Sequence, residues 1–178
     1  LRKCNKSIQT WNLTWRHKHS YIAKEVALGT IRDVEIFPDK KGLVAALVTG
    51  RCVIKHFNAN RTRYDFHFKC HRQKFTEESK DAKVWSVNVV RFHPKQKSFV
   101  TGGDDGQINV WDKDRRQMLR RFEQIKHNES IPTPITCIDF DRNGDIMAYA
   151  TSCSWNRGTQ SFRFKPQIYL HKFNKTRY

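Results

Sequence analysis

Few residues in this sequence have the types and spacing needed for covalent chemistry. Cys70 and His71 set a thiol beside an imidazole, but neighbours on a strand point to opposite faces, so they make no working dyad without a sharp bend. His17 and His19 would share a face of an extended segment, yet two ligands without a third make a poor metal site. No GxSxG, HExxH, Walker loop or Rossmann fingerprint is found, and the acidic residues are too scattered to nominate a carboxylate pair. The reading is of a non-enzymatic protein with no cofactor, no metal and no small-molecule substrate. What the chain does carry is cations set among aromatics: Phe68, Lys69 and Arg72 in one stretch, Trp111, Lys113 and Arg116 in another. An aromatic face beside cations can receive an apolar peptide side chain or a stacked base.

The overall charge points the same way. Thirty-four Lys and Arg stand against 17 Asp and Glu, a formal net charge of +17, which attracts phosphate backbones or acidic peptide segments. A basic balance serving only solubility or assembly is the alternative. Five cysteines with no CxxC pair argue against a disulfide framework or zinc module and for a reducing compartment. The longest apolar run, Leu43 to Val48, is strand-sized and far short of the roughly 18 residues of a membrane span, so no membrane partner is expected. The chain opens at Leu1 on a basic, polar stretch without an initiator Met or the apolar core of a signal peptide. An N-terminal part of the protein is therefore expected to be missing.

These residues must be positioned by short strands, because apolar runs recur about every 50 residues between Gly, Asn and Asp turns. In the clearest copy Val87, Val89 and Phe92 carry an inner strand ended by His93-Pro94, and Ser98 to Thr101 form a second strand. A turn at Gly102 to Gly106 follows, then a third strand from Ile108 to Trp111 and an outer strand from Met118 to Phe122. The string TGGDDGQINVWD matches the WD-repeat pattern. Asp105 is read as the structural acceptor of its turn, and Trp111 has a structural role as its alternative. A second copy runs Ile31 to Pro38, Leu43 to Val48 and Arg51 to Phe57, turning at Thr49-Gly50. A third runs Ile135 to Phe140 and Ile146 to Ala150 around a turn at Asp141 to Gly144, and Ile8 to Asn12 reads as the end of an earlier blade.

The expected fold is all-β: a WD-repeat β-propeller, the C-terminal half, about three and a half blades, of a seven-bladed ring. Residues 1–28 would end a preceding blade and link it onward, and residues 29–178 would be the C-terminal blades. His71 to Lys83 and Ser154 to Pro166 read as projecting loops, and Phe173 to Tyr178 as a frayed basic tail. Phe66 and Phe68 alternate, so one of them is expected to be buried.

Beyond the generic repeat, several segments carry a more specific pattern: Gly50 to Phe57 (GRCVIKHF), Phe68 to Arg72 (FKCHR), Trp111 to Asp114 (WDKD), and Asn143 to Ala150 followed by Ser154-Trp155. From about Ile31 to Leu170 the chain resembles the mRNA-export propellers of the Rae/Gle type and, slightly less well, the Bub-type mitotic-checkpoint propellers. The resemblance implies a nuclear scaffold at the nuclear pore complex that docks a short acidic motif of a phenylalanine-glycine nucleoporin and assists mRNA export. Single-stranded RNA is a candidate second partner on a basic face. It implies binding roles for Arg51, Phe68, Lys69, Arg72, Trp111, Lys113 and Arg116. Arg51 would pair with a partner carboxylate, since a guanidinium can hold one through two parallel charge-assisted hydrogen bonds; an internal salt bridge between blades is its alternative. Met118 departs from the family, where a third basic residue lines the groove, although Arg115, Arg120 and Arg121 stand nearby. A checkpoint propeller binding kinetochore kinases, or a basic WD subunit of an RNA-processing or ribosomal particle, are the other readings.

Overall fold

In the computed structural model the described residues are 8–10, 21–23, 29–127, 131–153 and 165–173. Strands β1 (Ile8–Thr10) and β2 (Tyr21–Ala23) form an antiparallel pair. The first four-stranded sheet follows: β3 (Ile31–Ile36), β4 (Gly42–Leu47), β5 (Arg51–His56) and β6 (Phe66–Lys69), hydrogen-bonded in chain order. A 3-10 helix, Ala59–Tyr64, joins β5 to β6. A small hairpin, β7 (Arg72–Lys74) with β8 (Ala82–Val84), leads to the second four-stranded sheet. That sheet comprises β9 (Val87–Phe92), β10 (Ser98–Gly103), β11 (Ile108–Asp112) and β12 (Gln117–Arg121). A two-residue pair, β13 (Lys126–His127) and β14 (Ile131–Pro132), precedes a sheet of β15 (Ile135–Phe140), β16 (Ile146–Thr151) and β17 (Gln167–Lys172). Antiparallel four-stranded meanders repeated along the chain are propeller blades.

The composition of the inner strands explains why these sheets stack. Every residue of β4 is buried, so its apolar run shows none of the alternation of a sheet with one wet face. Both faces are covered because blades pack on each other. One core cluster joins Phe37, Cys52 and Ile54 of the first blade to Val87, Phe92 and Phe99 of the second; another joins Val89, Val100 and Val110 to Ile135, Ile138 and Met147 of the third sheet. Gly102 sits where the second blade packs closely on the third sheet: a Cβ there would lie 2.6 Å from Ile135 Cγ2 and, within its own sheet, 2.9 Å from Val89 Cγ1.

Polar links cross the same junctions. Asp33 Oδ2 on β3 accepts from Val90 N at 3.0 Å and from Arg91 at 2.6 Å, both on β9. His93, of the His-Pro motif, accepts at Nδ1 from the backbone N–H groups of Lys95 and Gln96 at 3.1 and 3.0 Å. Its proton therefore sits on Nε2, which donates to Gly144 O of the third sheet at 2.9 Å. The motif both turns the chain and pins the next sheet.

Several details differ from the sequence expectation. Gly102 and Gly103 extend β10, and the turn begins at Asp104. His71 to Lys83 is not a plain loop, because Arg72, Gln73 and Lys74 pair with Val84, Lys83 and Ala82; a hairpin this short needs no apolar alternation. Phe173 is 2% exposed and packs on His93 and Phe140, so it belongs to the packed sheet and not to a frayed tail. His17, His19, Trp11, Asn12, residues 154–164 and residues 174–178 lie outside the described residues.

Candidate functional site

Among the described residues no three His, Cys, Asp or Glu side chains gather as metal ligands would, and no helix is long and apolar enough to cross a membrane. Cys70 and His71 do adopt a sharp bend, with His71 at φ +48°, but the bend directs them to separate partners. The Cys70 sulfur lies 3.7 Å from the Cys52 sulfur in the buried core. That contact and its burial push the Cys52 thiol well above its ordinary range. His71 Nδ1 lies 2.8 Å from Asp105 Oδ1, and its Nε2 lies 2.9 Å from Thr101 Oγ1, which also accepts the Trp111 indole N–H at 2.9 Å. Only one assignment satisfies all four groups: Trp111 donates to Thr101, Thr101 to His71 Nε2, and His71 Nδ1–H to Asp105. Gly103 leaves room for it, since a Cβ there would lie 2.5 Å from His71 Nδ1.

The cations and aromatics of the sequence reading meet at the seam between the first and second blades, with β6 as its spine. Against the expectation that one of the pair is buried, Phe66 and Phe68 share one face of β6, as residues two apart on a strand must, and both are half-buried, their rings 6.0 Å apart. Phe68 packs 4.7 Å from Trp111 and 6.2 Å from Phe99 of the second blade, so it and Trp111 are built into the seam. At the C-terminal end of β6, Lys69 pairs in register with Arg51, the first residue of β5. Arg72 stands close by. Its guanidinium donates to Thr49 O at 2.8 Å and Gly50 O at 3.4 Å, holding the turn from which Arg51 starts. Burial and the nearby Arg51 charge lower the Arg72 pKa. Neither Arg51 nor Lys69 has a carboxylate partner among the described residues. The internal salt bridge considered for Arg51 is thus not formed there.

At the N-terminal end of β6, about 10 Å away at ~3.3 Å per residue, a second group gathers. The β11–β12 turn reaches across the seam: Lys113 Nζ lies 4.9 Å from the Phe37 ring centre and the Arg116 guanidinium 4.6 Å from that of Phe66. Arg116 holds φ +56°. Lys113 also contacts Asp114 at 2.5 Å, keeping that carboxyl below its ordinary range. Together with the segment before β6, these residues line a pocket of about 490 Å³. Arg61, Arg63 and Tyr64 on its far wall were not singled out from the sequence, although Arg-x-Arg-Tyr sets two cations beside an aromatic. Only blade packing reveals that they face Lys113 and Arg116. Met118, 42% exposed, stands on β12 opposite Trp111. The named residues therefore fall into two cationic groups at the two ends of β6, bridged by the aromatics of the seam. Asp105 belongs to the buried network beneath.

Comparison with known proteins agrees with this architecture. The family model described as WD domain, G-beta repeat, matches residues 68–112. The chain is 34% identical over 143 residues to Protein RAE1 of Arabidopsis thaliana, covering 79% of this chain and 37% of that protein. It is 34% identical over 142 residues to mRNA export factor GLE2 of Chaetomium thermophilum (79% and 38%), and 37% identical over 145 residues to Protein Rae1 of Drosophila melanogaster (78% and 40%). The chain thus spans 37 to 40% of the length of these relatives. Its repeat, its blades and these matches make the chain part of a WD-repeat propeller that is similar, along most of its length, to proteins named as mRNA export factors of the Rae/Gle type.

Proposed function

We propose that this chain is part of a non-enzymatic scaffold that acts in mRNA export at the nuclear pore, binding an acidic peptide motif of a phenylalanine-glycine nucleoporin. The observation that carries the reading is the group of Arg51, Lys69 and Arg72 at one end of β6, where Arg51 and Lys69 meet no carboxylate among the described residues. Like charges held together at a surface favour an anionic partner that relieves their repulsion. Arg72 fixes the turn, and Arg51, released from internal pairing, is suited to a bidentate carboxylate contact. The names of these relatives support the export role. The aromatic seam and the Lys113 and Arg116 group favour single-stranded RNA as a second partner, because stacked rings beside cations accept bases and phosphates without sequence preference.

Calorimetric titration of the intact protein with an acidic nucleoporin-motif peptide tests the peptide reading, with Arg51→Glu, checked for an unchanged circular dichroism spectrum, as the comparison. Binding by the wild type that is lost in the variant is the expected result. Absence of binding by the folded wild type overturns it.

A further inference from the structure

The pocket at the N-terminal end of β6 has one wall, Lys113 and Arg116, that belongs to the candidate site, and a second wall that no repeat motif marks. The second wall is the 3-10 segment Ala59–Tyr64 with its flanks. Arg61 and Arg63 are exposed there, and among the described residues neither pairs with a carboxylate. The Arg63 guanidinium lies 4.8 Å from the Tyr64 ring centre and donates to Tyr64 Oη at 2.9 Å. Tyr64 is 43% exposed, a high value for an aromatic side chain. Asp114 is the acidic residue lining this pocket, and it is already held by Lys113 and by Lys97, the latter at 3.3 Å. Asp65, next to Tyr64, is taken by Lys55 at 3.2 Å and His56 at 3.1 Å. Among the described residues no carboxylate pairs with the guanidiniums of Arg61, Arg63 or Arg116 around this pocket of about 490 Å³, a size that suits a small-molecule-sized group.

We propose that this pocket holds one nucleotide of single-stranded RNA, with its phosphate on Arg61 and Arg63 and its base against Tyr64. The proposal rests on the RNA reading above and extends it, making the segment before β6 a second wall of the RNA surface. A nucleotide fits the lining better than an acidic peptide does. Paired guanidiniums match the several oxygens of a phosphate, and a ring carrying an arginine is a platform on which bases stack. An acidic side chain would use the cations and leave the exposed ring idle.

The test is fluorescence anisotropy of the intact protein with a labelled oligouridylate across a salt series, each variant checked by thermal melt. The double variant Arg61→Ala/Arg63→Ala is expected to weaken binding about tenfold or more. It should also lower the slope of log affinity against log salt by about 0.7, the value for one single-strand phosphate contact. Tyr64→Ala should cost about 5- to 100-fold, with Tyr64→Phe near wild type. Wild-type affinity and slope in the arginine double variant, alongside a loss in Lys113→Ala/Arg116→Ala, overturn this proposal and leave the RNA reading standing. No RNA binding by the wild type overturns both. Intact RNA binding with weakened acidic-peptide binding in the arginine variant makes the pocket a peptide site and also overturns the proposal.

Discussion

His71 Nδ1 meets Asp105 Oδ1 at 2.8 Å, and both side chains are withdrawn from solvent, exposed by 0% and 3%. His71 leaves the first blade and Asp105 turns the second, so this contact fastens one blade to the next while Thr101 and Trp111 complete the chain of donors. Asp105→Ala strips the acceptor from a buried imidazole N–H and from Gln107 N, and is expected to destabilise by about 1.5–3 kcal/mol. Trp111→Phe removes the donor to Thr101 and part of the ring packed on Phe68, and should cost about 1–3 kcal/mol. Urea melts of the two single variants and the double variant check this, and the double should fall short of the sum because both act on one network.

Arg51 and Arg72 are separated by role although they neighbour each other. Arg72 donates to two carbonyls of the Thr49–Gly50 turn, so Arg72→Ala should lower stability by about 0.5–1.5 kcal/mol. Arg51→Ala removes no side-chain hydrogen bond or ion pair to the described residues and should stay within about 0.5 kcal/mol of wild type. Thermal melts compare them. Equal destabilisation would show that Arg51 supports the fold in a way its surroundings do not reveal.

Much of this was legible in sequence, and what was not has a common cause. Leu43 to Leu47 announces a strand buried on both faces by its unbroken apolar run, and Val87 to Phe92 does so nearly as well, with Asn88 and Arg91 its polar residues. Asp105 and Trp111 are marked by the repeat pattern, but their link through His71 and Thr101 spans 34 residues and exists only once blades stack. Phe68 shows the reverse limit: a strand pattern says that it alternates with a polar neighbour, not that its face is the seam against Trp111. Arg61, Arg63 and Tyr64 lie in a segment without periodicity, so nothing local tells that they confront Lys113 and Arg116 across a blade boundary.

Glu35 gives the fold a pH signature. Burial, and the charges of Asp33 and Asp139, raise its carboxyl pKa, while Arg91 opposes them. A raised folded-state pKa means that the native protein binds more protons than the unfolded chain just above the ordinary glutamate range, so the contribution is present at low pH and lost as pH rises through that window. Glu35→Gln should therefore show a smaller loss, or a larger gain, of stability than wild type between about pH 4.5 and pH 7. Urea midpoints at the two pH values measure it, and parallel changes in both proteins would refute the assignment to Glu35.

Thiol reactivity should divide the cysteines by environment. Cys52 and Cys70 are buried against each other, whereas Cys137 is exposed on β15. Because only an accessible thiolate reacts readily, iodoacetamide at neutral pH should label Cys137 in the native protein. Cys52 and Cys70 should be labelled only in denaturant. Peptide mass mapping reads the order, and early labelling of Cys52 would contradict the packing of the first blade against the second.

Met118 offers the most direct gain-of-function test of the proposed RNA surface. It stands on β12 opposite Trp111, 42% exposed, near a turn that already presents Lys113 and Arg116. A lysine there would add a cation at the edge of the aromatic seam without disturbing the core, since Met118 lies outside the buried clusters and a lysine stem can cover the same surface. Met118→Lys should leave the melting temperature within a few degrees and strengthen oligouridylate binding. It should also steepen the salt dependence by about 0.7 in slope if the new charge meets one phosphate. A tighter complex with an unchanged slope would place the lysine away from the backbone path. A weaker complex would mean that the methionine itself contacts a base, and that the RNA lies along the rings of Phe66, Phe68 and Trp111 instead of along the cations that flank them.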